Sequence, residues 1–489
     1  MATIIDSEFP ATEPIPTIST RPRWRDTFSS LAIRNYRLYV FSQVVSNTTV
    51  WMQRIAIDWL VLELTGNVAL VGVVVALQFS PILFFGAWGG VIADRYSKRR
   101  LLITVQSIVA VLCAALAALT ITGVVSVWHV FVIAFVLGMA SAVDGPARAA
   151  FVTEMVGNAH VRNAISVNAS IFHLGGLVGP ALSGLLIVAV GSGWSIGINA
   201  VATVMVVCAL AAMRASELRP APRSRRSGGQ IRQALRYAAS KPPILWSLVT
   251  LSFVSTFGMS LPVLLTGMAN DVYETGATGY GLYNSLAAVG ALTGAVLSTR
   301  RTTLRLRGIV LGAIVFGLVT TVAGFAPSVG VFFVALVGIG LTRLLFATSA
   351  ESMTQLSSNV GIRGRVMSLY IMVLLGGQAI GGPVMGWIAE TWGAQTGFAV
   401  AGIVPTIAGI VIAVILARSG QLKLRVDLWS AGPPISIVKR TVRRRPADAR
   451  PRRGRGPRGR GARETGPRET GQREHGSHEG DPRVRDSRR

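Results

Sequence analysis

The sequence predicts an all-α integral membrane protein with twelve spanning helices in two six-helix halves. Three observations carry that prediction. Of 489 residues, 51% are hydrophobic and only 14% charged, with 53 glycines, a composition suited to a polytopic helical membrane protein. Twelve apolar runs reach the ~20 residues that a bilayer requires: 37–64, 68–92, 101–123, 127–147, 164–190, 194–213, 244–268, 279–298, 307–325, 329–350, 366–389 and 396–417. One hydrophilic interior stretch, "RASELRPAPRSRRSGGQIRQALRYAASK", divides them six and six.

Taken in order, residues 1–35 carry Asp6, Glu8 and Glu13 and no apolar core of a cleaved signal, so the first span is expected to direct insertion. The first half covers 36–213, the central loop 214–243 and the second half 244–417. One set of connections holds Arg95, Lys98, Arg99 and Arg100, then Arg148, Arg162, Arg214 to Lys241, Arg300 to Arg307, Arg363 and Arg365. The alternate set, around Gly66, Gly123, Gly191, Asp271, Pro327 and Trp392, has no Lys or Arg. The positive-inside rule then puts both termini in the cytoplasm of a multi-pass plasma-membrane protein, which needs an even number of spans.

An internal repeat supports the two halves. A shift of 203 residues lays Arg162 on Arg365 and Gly179-Pro180 on Gly382-Pro383, and a shift of 205 lays Gly89 on Gly294 and Arg95 on Arg300. Beyond Arg418 the pattern ends. Residues 418–489 hold 21 Lys and Arg against 8 Asp and Glu, a net of +13, half of the chain's +26. This basic tail lacks apolar periodicity and is expected to be disordered, resting near anionic headgroups. Its RGRG pattern also suits RNA, but too weakly to name a nucleic-acid partner.

At "GGVIADRYSKRR", Gly89, Gly90, Asp94, Arg95, Lys98 and Arg99 resemble the signature between helices 2 and 3 of the major facilitator superfamily. The stretches "RNYRLYVFSQ", "WMQRIAIDWLVLELTG", "DGPARAAFVTEMV", "RNAISVNASIFHLGGLVGPALSGLLI" and "RGRVMSLYIMVLLGGQAIGGPVMGWIAE" extend the resemblance over about residues 30–417. Together they are similar to the drug:proton antiporter subfamily that includes macrolide-efflux pumps and the enterobactin exporter, of transmembrane secretion effector type. The resemblance implies the major facilitator fold, a substrate site near the midplane between the halves, and export driven by the proton gradient. It also implies a cytoplasmic gate at Asp94 and its basic neighbours, formed across the halves. Asp144 and Arg148, at the cytoplasmic end of the fourth span, are expected within reach of Asp94 and Arg95. Thr299 stands where the first half has Asp94, so the gate is expected to be asymmetric. "GGLVGPALSG" resembles the antiporter motif of helix 5, with Gly179 and Pro180 as hinge support and Gly382 and Pro383 as their second-half copies.

The first span carries the chemistry. At 100° per residue, Gln43, Asn47, Arg54 and Asp58 share one stripe, which lipid would not tolerate, so it faces protein or a water-filled cavity, with Gln43 and Asn47 as candidates to line the substrate cavity. Arg54 and Asp58 either form a structural i,i+4 ion pair or make a coupling site, with Asp58 carrying the proton and Arg54 tuning it. His173 is a relay candidate or a packing residue. Arg343 faces the cavity or pairs with a carboxylate. Tyr280, Tyr283, Asn284 and Gln378 either touch substrate or bond between helices.

No lysine follows glycine in a phosphate-cradling loop, and HExxH and CxxC are absent. Neither ATP as direct energy source, an enzyme, a metal site nor a cofactor is expected. Cys113 and Cys208 both fall in apolar runs and suggest no disulfide framework. The sequence thus points to a monomeric, proton-coupled exporter of small amphipathic molecules such as drugs. The alternatives are a siderophore or secondary-metabolite exporter on the same scaffold, and a membrane-anchored interaction protein acting through its tail.

Overall fold

The computed structural model describes residues 29–218, 230–299, 305–418, 423–426 and 435–438. The first half comprises α1 (Arg34–Thr65), α2 (Val68–Arg95), α3 (Lys98–Ile121), α4 (Val127–Gly157), α5 (Asn163–Val190) and α6 (Ser192–Ala212). A short amphipathic helix, α7 (Gln230–Ser240), follows. The second half comprises α8 (Pro242–Val272), α9 (Gly276–Thr299), α10 (Leu306–Gly324), α11 (Val329–Leu356), α12 (Val360–Trp392) and α13 (Ala394–Arg418).

Eleven helices are long and apolar enough to cross a membrane. α1 is not among these eleven, but its 32 residues run about 48 Å, long enough to fit as a twelfth span. Asn67 opens α2 by accepting the Leu70 N–H at 3.1 Å. Gly66 closes α1 at φ 61°, a left-handed turn that glycine adopts without strain. Trp128, Trp194 and Trp392 are exposed at the starts of α4 and α6 and the end of α12. All three lie at the face opposite the termini, where an interfacial aromatic belt belongs.

Two helices depart from the sequence expectation. α4 runs ten residues past 147, because Asp144 and Arg148 sit an i,i+4 pair apart and support another turn. It ends in a kink at Gly157, whose φ is 68°. α8 is interrupted rather than continuous. Wide π turns at Val254–Gly258 and Met268–Val272 flank a break at Ser260. Pro262 restarts the helix within its first turn, where a missing N–H costs least.

Glycine sets how closely the halves meet. α2 lies against α12, where a Cβ on Gly382 would come 2.7 Å from the Gly72 carbonyl oxygen. α5 lies against α9, where a Cβ on Gly184 would come 2.8 Å from the Ala277 carbonyl and one on Gly281 would strike that of Pro180. These two seams are equivalent under the internal repeat. Both lie toward the face opposite the termini, as does the bond from the Val68 N–H to Glu390 Oε2 at 2.7 Å. Beyond α13, β1 (Lys423–Val426) pairs antiparallel with β2 (Ile435–Val438). The rest of the tail expected to be disordered, and residues 219–229 of the central loop, lie outside the described residues.

Candidate functional site

A cavity of about 280 Å³ lies between the halves, lined by α1, α2 and α5 from one side and α8, α9, α11 and α12 from the other. α1 contributes Trp51, Arg54, Ile55 and Asp58; α2 contributes Val75, Gln78 and Phe79; α5 contributes Phe172, His173, Gly176 and Pro180. The break in α8 brings Met259, Leu261 and Pro262 to the wall.

Asp58 is 4% exposed. Its Oδ2 accepts a hydrogen bond from the Tyr280 hydroxyl of the opposite half at 2.9 Å, while Oδ1 has no partner. Tyr280 is itself buried, and Trp59 stacks on it with ring centroids 6.1 Å apart. The ion pair between Arg54 and Asp58 that helical spacing allows is not formed. Arg54 instead lies over the rings of Trp51 and Phe79, at 5.2 and 5.7 Å, an attraction worth up to ~2 kcal/mol away from water. Arg343 reaches the same cavity with no hydrogen-bond or ion-pair partner among the described residues. The wall therefore carries two guanidiniums and His173 against one carboxylate.

Of the other residues singled out from sequence, Asn284 and Gln378 line this cavity. Gln43, Asn47 and Tyr283 are not among its lining residues. Gln43 Oε1 accepts from Arg148, and Asn47 bonds back to the Gln43 carbonyl at 2.9 Å. The lower part of the α1 stripe is thus taken up by protein. Tyr283 shares its hydroxyl with Thr275 at 2.7 Å, and its ring packs on Tyr273, Phe332 and Phe333. Gln78, Trp51, Phe79 and Phe172 were not singled out. A lone amide in the apolar second span was the available signal for Gln78, whereas the aromatics read the same as core.

Toward the face carrying the termini, Asp144 takes two bonds from Arg148, at 2.8 and 3.0 Å, and one from Gln106 at 2.8 Å. Lys98 pairs with Glu154 at 3.2 Å. Arg99 donates to the carbonyls of Leu210 and Ala211 at the end of α6, where a cation suits the helix dipole. Arg95 is exposed and Asp94 half-buried. Gly89 and Gly90 are buried, and a Cβ on Gly89 would strike the Ala142 carbonyl, so glycine is needed for α2 to lie on α4. The ties of Lys98, Arg99, Asp144 and Arg148 run within the first half. The expected gate across the halves is not formed by these four residues, because the halves here meet at the opposite face. Gly179 packs on α1, its Cβ position 2.6 Å from the Thr48 carbonyl, and the Pro180 carbonyl meets Gly281. Gly382 and Pro383 pack likewise on Gly72.

A family model described as transmembrane secretion effector matches residues 25–433. The chain is similar to the staphyloferrin A transporter of Staphylococcus aureus, at 24% identity over 384 residues, covering 76% of this chain and 94% of that protein. It is also similar to the enterobactin exporter of Citrobacter koseri, at 22% identity over 392 residues, covering 78% and 92%. Among solved structures, the POT family transporter PepTSo superposes with a TM-score of 0.64 at 17% identity, over 81% of this chain and 99% of that one. The nucleoside transporter NupG gives 0.63 at 13% identity, over 78% and 99%. At these identities the structural likeness speaks for the fold.

Proposed function

The chain belongs to the transmembrane secretion effector family of major facilitator transporters, and on that premise we propose that it exports a small secreted metabolite in exchange for protons. It is a multi-pass membrane transporter, not an enzyme. The observation that carries the proposal is Asp58: a buried carboxylate in the cavity between the halves, held by a hydroxyl from the opposite half. An intramembrane acid in such a cavity is a functional residue before it is a structural one. A group that titrates at the seam between two moving halves links proton binding to which face is open.

In this reading the basic loops and both termini face the cytoplasm of a plasma-membrane protein, following the positive-inside rule. A proton entering down about 100 mV releases roughly 2.3 kcal/mol toward the outward gradient. Relatives named for staphyloferrin A and enterobactin favour a siderophore-like secreted metabolite as substrate. Extrusion of amphipathic drugs is the second reading, favoured by the aromatic wall of Trp51, Phe79 and Phe172.

The test is disruption of the gene followed by comparison of culture fluid and cell extract. The proposal expects one secreted compound to fall at least tenfold outside and accumulate inside, with recovery by wild type but not by Asp58→Asn. Unchanged secretion together with lost efflux of a fluorescent dye would replace the metabolite with the drug reading. Full recovery by Asp58→Asn would remove the carboxylate from the mechanism.

A further inference from the structure

Two atoms in the central cavity lack what burial normally requires. Asp58 Oδ1 has no hydrogen-bond partner, and neither does the buried amide nitrogen of Gln78 on α2. About nine in ten buried polar groups find a partner within folded proteins or their bound water. Both residues line one cavity, and a molecule seated there that reached these two atoms would supply the missing partners. Their needs are opposite: the carboxylate oxygen accepts a hydrogen and the amide nitrogen donates one. Beside them stand the rings of Trp51, Phe79 and Phe172.

We propose that the cavity recognises an amphipathic molecule carrying an O–H or N–H donor beside a carbonyl acceptor, as in a hydroxy amide. The donor bonds to Asp58 Oδ1, the carbonyl accepts from Gln78, and the apolar part lies against the three rings. The inference rests on the exporter reading and deepens it by naming the substrate class.

The same bond gives exchange its direction. A proton on Oδ1 turns the acceptor into a donor and removes the ligand's partner. Ligand and proton therefore compete for one oxygen, so that binding one releases the other. The cations sharing the cavity with Asp58 are Arg54 on its own helix, Arg343 from α11 and, when protonated, His173 from α5. Tyr280 from α9 donates to the other oxygen. The polar groups that α2 and α12 present are the uncharged Gln78 and Gln378, and α8 presents Met259, Leu261 and Pro262. Asp58 is thus the one acid lining the cavity among the described residues.

The experiment measures binding and proton release together on purified full-length protein in weakly buffered detergent solution. The probe is 2-hydroxy-N-(2-naphthyl)acetamide, which does not titrate near neutral pH. Its O-methyl, N-methyl derivative, which has lost both donors, is the comparison. Wild type is expected to bind the parent at least tenfold more tightly than the derivative and to release protons, approaching one per protein. Gln78→Leu is expected to weaken parent binding about tenfold while keeping proton release at saturation. Asp58→Asn is expected to abolish release. Melting curves of both variants check folding, and Gln78→Met, which keeps the length of the side chain, loses the donor and does not titrate, stands in if Gln78→Leu does not fold.

Equal binding of the two probes, no binding of either, proton uptake, or release that persists in Asp58→Asn would overturn the proposal. Selective binding with proton release in a protein whose disruption leaves secretion unchanged would instead count against the exporter reading and leave the site standing.

Discussion

At Asp58 the two carboxylate oxygens meet different surroundings, one bonded to Tyr280 and the other buried without a hydrogen-bond partner. The bonded oxygen ties α1 of one half to α9 of the other. With the carboxyl protonated, as the proposed proton release requires of the ligand-free protein, this hydrogen bond contributes about 0.5–1.5 kcal/mol, so Tyr280→Phe biases the closed face toward opening by roughly two- to tenfold. Spin labels at Thr65 and Thr391, in a background without Cys113 and Cys208, are expected to report a longer distance in this variant. An unchanged distance would mean that the bond does not hold that face shut. Asp58 itself was legible from sequence, because hydrocarbon penalises an ionised carboxylate inside an apolar run. Its partner was not, because Tyr280 and Tyr283 lie one helical turn apart and periodicity does not say which faces α1. The same limit applies to Gln43 and Asn47. Helical angle groups side chains on a face but does not show that Arg148 occupies the lower part of it.

Among the helices, most of the architecture was readable: apolar runs bounded by glycine and basic residues mark the spans, and the repeat of Gly179-Pro180 at Gly382-Pro383 marks equivalent helices. The break in α8 was not readable. Met259 and Ser260 are ordinary helical residues, and a single proline at 262 suits a kinked continuous helix as well as a restart. The seams between α2 and α12 and between α5 and α9 yield a sharper test. Gly72→Ala puts a methyl group into the Gly382 carbonyl and is expected to cost about 1–3 kcal/mol by overpacking. Gly330→Ala, at a helical position with nothing within 4 Å of the new Cβ, is expected to leave melting unchanged. Thermal unfolding of the two variants checks this. Equal melting would mean that close approach at the seam does not stabilise this conformation.

Across the whole molecule, the two halves, the cavity and the single lining carboxylate together account for transport without the basic tail. The helices that build the cavity end with α13 at Arg418. Truncation after Arg440 is therefore expected to retain more than half of the transport rate, whereas the tail-mediated interaction reading requires its loss. Composition made the membrane class legible, and the alternation of basic loops supports the orientation proposed above. What crosses the membrane was not legible, because the cavity lining is brought together from seven helices.

The most direct test of the central claim is ligand-driven proton movement in proteoliposomes with a pH-sensitive dye inside. The hydroxy-amide probe is added to wild type and to Asp58→Asn at equal protein density. The account predicts internal pH changes with wild type, in the direction of exchange for the probe, and none with the variant, which still binds it. Equal proton movement through both proteins would contradict the assignment of Asp58 as the coupling carboxylate.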